Sequence, residues 1–128
     1  MQDQLVFVYG TLRRGEPNNR CFGDSEYMFE AATEGQYVIS GNGIPFVCLP
    51  KPGNSHAGRI VGDVYRVTRQ AVMDRLDALE GHPTCYERHL IPLNGGLTAW
   101  MYHHDAGNSR SLPPNEDGDH IFPKNRRG

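Results

Sequence analysis

The chain is poor in several features that often announce a function. It has three cysteines in 128 residues, Cys21, Cys48 and Cys85. An odd number set far apart excludes a fully paired disulfide frame and fits reduced thiols in a cytoplasmic protein. No apolar run approaches the roughly eighteen residues of a membrane-spanning helix. Met1-Gln2-Asp3-Gln4 lacks the basic and apolar zones of a signal peptide. Charge of one sign is lacking too. The net charge is −2, and the thirteen basic residues are spread along the chain, leaving no basic face for nucleic acid. No GxGxxG or GxxxxGK[ST] fingerprint is present, so no nucleotide cofactor is indicated.

Metal-ligand spacing is missing as well. His103, His104 and Asp105 are adjacent, His120 comes later, and His82 lies near Cys85. None shows the helical i, i+4 or paired CxxC spacing of a zinc site. Neighbours on a strand face opposite ways, which keeps His103 and His104 from sharing an ion. These read as surface histidines, with no metal and no cofactor. A Cys/His nucleophile from Cys85 or Cys48 with His82 or His56 has no local signature.

What is present points to a β-rich α+β domain. Glycine and proline punctuate the whole chain. Strand signals fall near 5–9, 35–40, 44–49, 58–67, 86–93 and 97–103. Asn94-Gly95-Gly96 joins the last two as a hairpin, and Gly41-Asn42-Gly43 separates the second from the third. Tyr65 and Trp100 fall on strands and read as core. Six short strands against one clear helix predict a closed or nearly closed β-barrel, because closure removes exposed edges. The length suits one domain with a real core. Its body is expected over 1–104. The polar stretch 105–128 is expected as a tail, either part of the same unit or partly disordered.

The helix runs from Arg69 to Glu80, with Thr68 as the expected cap and Gly81 and Pro83 as the stop. Helical spacing puts Val72, Met73, Leu76 and Leu79 on one face and Asp74, Asp77 and Ala78 on the other. Glu80 follows Leu76 by four and Met73 by seven, so it falls in the apolar sector. A carboxylate there loses hydration, and the negative end of the helix dipole acts the same way. Both raise its pKa toward the range of a useful base. A glutamate at a frayed end that reaches solvent fits the same spacing.

The second candidate is the strand end Val6-Phe7-Val8-Tyr9-Gly10-Thr11-Leu12-Arg13. The apolar run stops abruptly at an aromatic and a glycine. The amides of Gly10, Thr11 and Leu12 can point together at an anionic or carbonyl oxygen. An ordinary strand and turn is the other reading of these residues.

Taken together, "VYGTLRRGEPNNR" at 8–20 and "LDALEGHPTCYER" at 76–88 resemble the γ-glutamylcyclotransferase-like superfamily, closest to its γ-glutamylamine cyclotransferase and AIG2-like branch. "GIPFVCLP" at 43–50 and "GDVYRV" at 62–67 also look like that pattern. The resemblance covers roughly the first hundred residues in the family's order. It implies a small mixed β-barrel with helices outside. It implies a substrate loop of Tyr9, Gly10, Thr11 and Leu12, with Glu80 as catalytic acid/base and Tyr86 lining the pocket. Thr11 stands where many relatives have serine. The implied reaction releases 5-oxoproline and a free amine from a γ-glutamyl amine or peptide, without metal or cofactor. The competing expectations are a non-catalytic module of the same fold that binds a γ-glutamyl-like or carboxylate ligand, and an interaction protein that works through its tail. The implied partner is a small molecule, not nucleic acid or membrane.

Overall fold

Alternate side chains of the first strand enter two different cores, and this organises the molecule. The computed structural model describes residues 2–40, 46–48, 56–82, 85–104 and 111–122. In β1 (Gln4–Val8), Val6 and Val8 join a core that also contains Phe22, Tyr65, Val72, Met73 and Leu76. Phe7 and the following Tyr9 join a second core with Ile39, Val47, Ile60, Val64 and Met101. A strand covered on both faces is apolar at every position, hence the continuous run in the sequence.

The remaining strands are β2 (Glu26–Ala32), β3 (Val38–Ser40), β4 (Phe46–Cys48), β5 (Arg59–Val67), β6 (Glu87–Pro92), β7 (Thr98–His103), β8 (Ser111–Leu112) and β9 (Asp119–Ile121). The main sheet has the order β2-β5-β1-β7-β6, and β4-β3-β8 form a smaller one. β1 is antiparallel to β5 and parallel to β7. The main sheet is not closed by a continuous ladder. Its two edges, β2 and β6, still meet at one end through the Thr33–Leu93 bridge. There Asn94 N donates to Ala32 O and Glu34 N to Pro92 O. The barrel expected from the sequence is therefore a curled mixed sheet with one joined corner. No helix among the described residues is long and apolar enough to cross a membrane.

β2 escaped the sequence reading for two reasons. It is an edge strand that exposes most of its side chains, and its register shifts between Tyr27 and Phe29. A bulge breaks the period-two pattern that reveals a strand. β8 and β9 are too short to carry a pattern. Residues 111–122 nevertheless join both sheets. β9 pairs with Arg59–Val61 of β5, opposite β2 and beyond the point where β1 ends at Val8. The expected turn at Gly41-Asn42-Gly43, the residues 44, 45 and 49 of the expected third strand, Pro83, Asp105 and the tail segments 105–110 and 123–128 lie outside the described residues.

The helix α1 spans Gln70–Glu80. Thr68 does not cap it. The N-cap is Arg69, in extended backbone and with no side-chain cap, because Thr68 lies one residue too early. The far end is a Schellman turn: Gly81, at φ +69°, donates to Ala78 O while His82 N donates to Asp77 O. Val72, Met73 and Leu76 are buried, but Leu79 is 43% exposed. The buried arc centres between Leu76 and Met73, which leaves Leu79 at its rim and takes Glu80 inside.

A buried ion pair fastens the segment after β1. The Arg13 guanidinium donates to both oxygens of Asp63 at 3.2 Å, to Glu30 at 2.8 Å and to the carbonyl of Phe122 at 2.9 Å. Arg14 N adds a bond to Asp63 Oδ2. Arg13 and Asp63 are both buried, whereas the Glu30 side chain is largely exposed. Next to this pair, Gly62 lets β5 and β1 come close, since a Cβ there would lie 2.2 Å from Val8 O. Removing one member of a buried pair leaves the other charge uncompensated, at about 3–5 kcal/mol. Asp63→Asn is therefore expected to lose about 3 kcal/mol, Glu30 remaining as a partial partner. Urea unfolding at pH 7 checks this, and a loss under about 1 kcal/mol would contradict it.

Candidate active site

After Val8 the chain turns out of the sheet. Arg13 N donates to Gly10 O at 3.0 Å, closing a turn. Asn18 and Asn19 take the next carbonyls. Asn18 N donates to Thr11 O, and Asn19 Nδ2 donates to Leu12 O and to the Tyr65 hydroxyl. Asn18 Nδ2 also reaches the Thr11 hydroxyl. The carbonyl side of Gly10–Leu12 is thus consumed internally. Among the described residues, no hydrogen bond engages the amide N–H of Gly10, Thr11 or Leu12. The turn is pinned by its acceptors and open at its donors.

Glu80 is the last residue of α1, just before the Schellman glycine. Burial pushes its carboxyl up to about 7. No basic side chain among the described residues forms an ion pair with it. Tyr86 is close in the chain path, since its N–H donates to Glu80 O at 3.2 Å. The Tyr86 ring stacks on His104 at 5.3 Å.

These residues meet. A small cavity of about 50 Å³ is lined by the whole turn Tyr9, Gly10, Thr11 and Leu12, by Glu80 and Tyr86, and by Phe7, Val8 and Tyr102. All six site residues expected from the sequence border one space. Their chemical roles are a separate question, taken up below.

Tyr102 was not foreseen. Its hydroxyl donates to Asp77 Oδ1 at 2.5 Å, and Arg88 donates to the same carboxylate at 2.8 and 3.2 Å. Burial first, and the Asp77 hydrogen bond second, push the Tyr102 hydroxyl pKa far up, so it stays neutral. Burial also opposes ionisation of Asp77. The bonds from Arg88 and Tyr102 outweigh it and hold this carboxyl below its usual range. Asp77 is therefore no wet-face residue, as helical spacing suggested. It sits at the rim of the buried arc and meets β6 and β7 there. The missed signal was Arg88, whose charge needs a partner and whose guanidinium also covers the Trp100 ring at 4.5 Å.

A larger cavity of about 470 Å³ lies beside this one, and among the described residues Tyr9 is the one common to the two linings. Glu80 does not line it; its titratable members are Asp119, paired with Arg59, and His120, whose Nε2 lies 2.9 Å from His56 O. Among the described residues no three His, Cys, Asp or Glu side chains converge as metal ligands. His103 packs against His89 at 4.4 Å, and His104 Nδ1 lies 2.6 Å from Cys85 O.

Comparison with known proteins identifies the family. The family model described as Gamma-glutamyl cyclotransferase, AIG2-like matches residues 6–122. A protein of Methanocaldococcus jannaschii, provisionally named a gamma-glutamylcyclotransferase, is 36% identical over 104 residues, covering 77% of this chain and 82% of its own. Gamma-glutamylaminecyclotransferase B of Danio rerio is 40% identical over 97 residues, covering 70% of this chain but only 49% of its own. The crystal structure of an AIG2-like protein from Mus musculus superposes with a TM-score of 0.67 at 24% identity, covering 80% of this chain and 78% of that one. That likeness shows the shared fold, and the match over residues 6–122 shows that the chain belongs to the AIG2-like gamma-glutamyl cyclotransferase family.

Proposed function

We propose that the chain converts a γ-glutamyl amine or peptide into 5-oxoproline and a free amine, with Glu80 as the proton shuttle. The substrate's α-amine attacks its own γ-carbonyl. The new ring C–N bond forms, and the bond to the leaving nitrogen breaks. Glu80 takes a proton from the α-ammonium so that the free amine can attack. The ring nitrogen gives up a second proton as the new bond forms, and the leaving nitrogen gains two and departs as an ammonium, so no proton is gained or lost overall. The observation that carries the reading is the carboxyl at about 7 beside a turn with three open amides. At that value both protonation states are well populated near neutral pH, as one group serving as base and then acid requires.

The amides of Gly10, Thr11 and Leu12 are suited to hold negative charge that develops on the carbonyl oxygen. They are fixed beforehand by Asn18, Asn19 and Arg13, so their orientation costs little at the moment of reaction. The neutral Tyr102 hydroxyl donates its hydrogen bond to Asp77 and keeps acceptor capacity at the cavity it lines. That capacity suits a substrate ammonium.

Glu80→Gln keeps size and removes the base. Its rate of 5-oxoproline release from a γ-glutamyl amide that the wild type turns over is expected to fall by about 10²-fold or more. Ligand binding changes far less. Turnover by the wild type is expected to fall away below about pH 7, where Glu80 holds its proton. Near-normal turnover in the variant would remove Glu80 from this role, whereas ligand binding with no turnover by the wild type would favour a binding module.

The same substitution has an opposite effect on stability. Between pH 4.5 and 7 the unfolded chain has released the Glu80 proton while the folded chain keeps it. Glu80 therefore costs nothing below pH 4.5, and its cost grows as pH rises to 7, reaching about 3 kcal/mol at most. Glu80→Gln is expected to stabilise by about 1–3 kcal/mol at pH 8 and to be near neutral at pH 4. Denaturation curves at the two values check the sign.

A further inference from the structure

The small cavity has room for a handful of waters at most. Small-molecule sites usually span about 300–1,000 Å³. A γ-glutamyl amide seated at Glu80 must therefore extend into neighbouring space, and the cavity of about 470 Å³ borders the same residue, Tyr9. The two spaces are tied a second time. Phe122 lines the larger one, and its carbonyl accepts from Arg13 at the end of the Gly10–Arg13 turn.

The lining of the larger space is chemically narrow. Ile39, Ile60, Leu112, Pro113, Ile121 and Phe122 present hydrocarbon. Most polar atoms of the described lining residues are already engaged. Asn115 Oδ1 accepts from Asp117 N and Asp119 N. Asp119 pairs with Arg59. His120 Nε2 lies 2.9 Å from His56 O, and burial keeps its ring neutral. The Tyr9 hydroxyl donates to Tyr102 O and accepts from Val47 N. Asn115 Nδ2 and His120 Nδ1 keep neutral hydrogen-bonding capacity, but among the described lining residues no unpaired charged side chain is left to meet a charged or zwitterionic group. Burying such a group unpaired is costly, whereas each buried methylene is favourable.

We propose that this cavity is a hydrocarbon subsite which receives the alkyl or arylalkyl part of the leaving amine. The assignment to a leaving amine rests on the reading of Glu80 as the proton shuttle. The cavity thereby sets specificity, favouring γ-glutamyl derivatives of apolar amines over those whose amine bears a carboxylate.

Two measurements test the subsite separately from the reaction. The first is binding of N-hexylacetamide and N-methylacetamide, which need no catalysis. The wild type is expected to hold the hexyl compound at least tenfold tighter. Leu112→Trp and Ile121→Trp each fill the space from positions that are 42% and 43% exposed, where a larger side chain is tolerated. Each is expected to cut the preference below threefold with its unfolding midpoint retained, and either alone suffices if the other fails to fold. The second is kcat/KM for γ-L-glutamyl n-alkylamides from methyl to butyl, expected to rise about three- to fourfold per methylene. Equal binding of the two acetamides, or a preference untouched in folded variants, overturns the subsite even if Glu80-dependent turnover of the methylamide stands. A binding preference with a flat kinetic series, or faster turnover of γ-glutamylglycine than of the butylamide, overturns its assignment to the leaving amine.

Discussion

The buried pair of Arg13 and Asp63 is the constraint on which the active-site region depends. One guanidinium reaches the carboxylate of β5, a glutamate of β2 and the carbonyl that follows β9. A hydrocarbon pair of the same volume would cost less desolvation. It would not fix direction. The planar fork of arginine has donors at set angles, and three acceptors on three segments determine where its backbone lies. Arg13 is the last residue of the turn that borders Glu80, so its anchoring fixes Gly10, Thr11 and Leu12 from one side. Asn18 and Asn19 fix them from the other. The turn is rigid through bonds to its carbonyls, which is why its amides can remain open.

Glu80 shows the reverse balance. Its helix ends in a Schellman turn that satisfies the Asp77 and Ala78 carbonyls, so no cation is needed at that end. Among the described residues none pairs with the Glu80 carboxylate either. Burial raises its pKa, and the charged form costs stability at neutral pH. Three residues earlier, Asp77 has the opposite fate, because Arg88 and Tyr102 bond to it. Two carboxylates on one helix end are thus driven apart in acidity by their partners. That separation is what the proposed role of Glu80 requires, an acid–base group beside a structural carboxylate.

The sequence made some of this legible and hid the rest for identifiable reasons. The apolar run of β1, the helix over α1 and the hairpin at Asn94-Gly95-Gly96 have strong local signatures, and all three form. The two motifs at 8–20 and 76–88 made the family legible. Glu80 could be placed in the buried arc by spacing alone. Leu79 could not be excluded from it, because an arc drawn from side-chain type is wider than the one packing selects. β2 stayed hidden, since an exposed, bulged edge strand has no period. The Arg13–Asp63 pair spans 50 residues and the Asp77–Arg88 pair joins a helix to the strand after it, and charge alone does not name its partner.

The parity of β1 explains why one residue, Tyr9, borders both cavities. Side chains alternate along a strand, so Val6 and Val8 must face α1 while Phe7 and Tyr9 face the interior of the curled sheet. Tyr9 is the first residue past the strand and still follows its phase. Its backbone leads into the turn beside Glu80, and its ring is packed in the second core. Its hydroxyl is held between Tyr102 O and Val47 N, so the ring stays in place as a wall. A register slip of one residue would send Phe7 and Tyr9 toward the helix and the valines inward. That slip is opposed from both faces at once, because each core is filled by side chains of a different size. The alternation that makes β1 fold in one way also places Tyr9 where the space beside Glu80 and the larger hydrocarbon-lined space share a border.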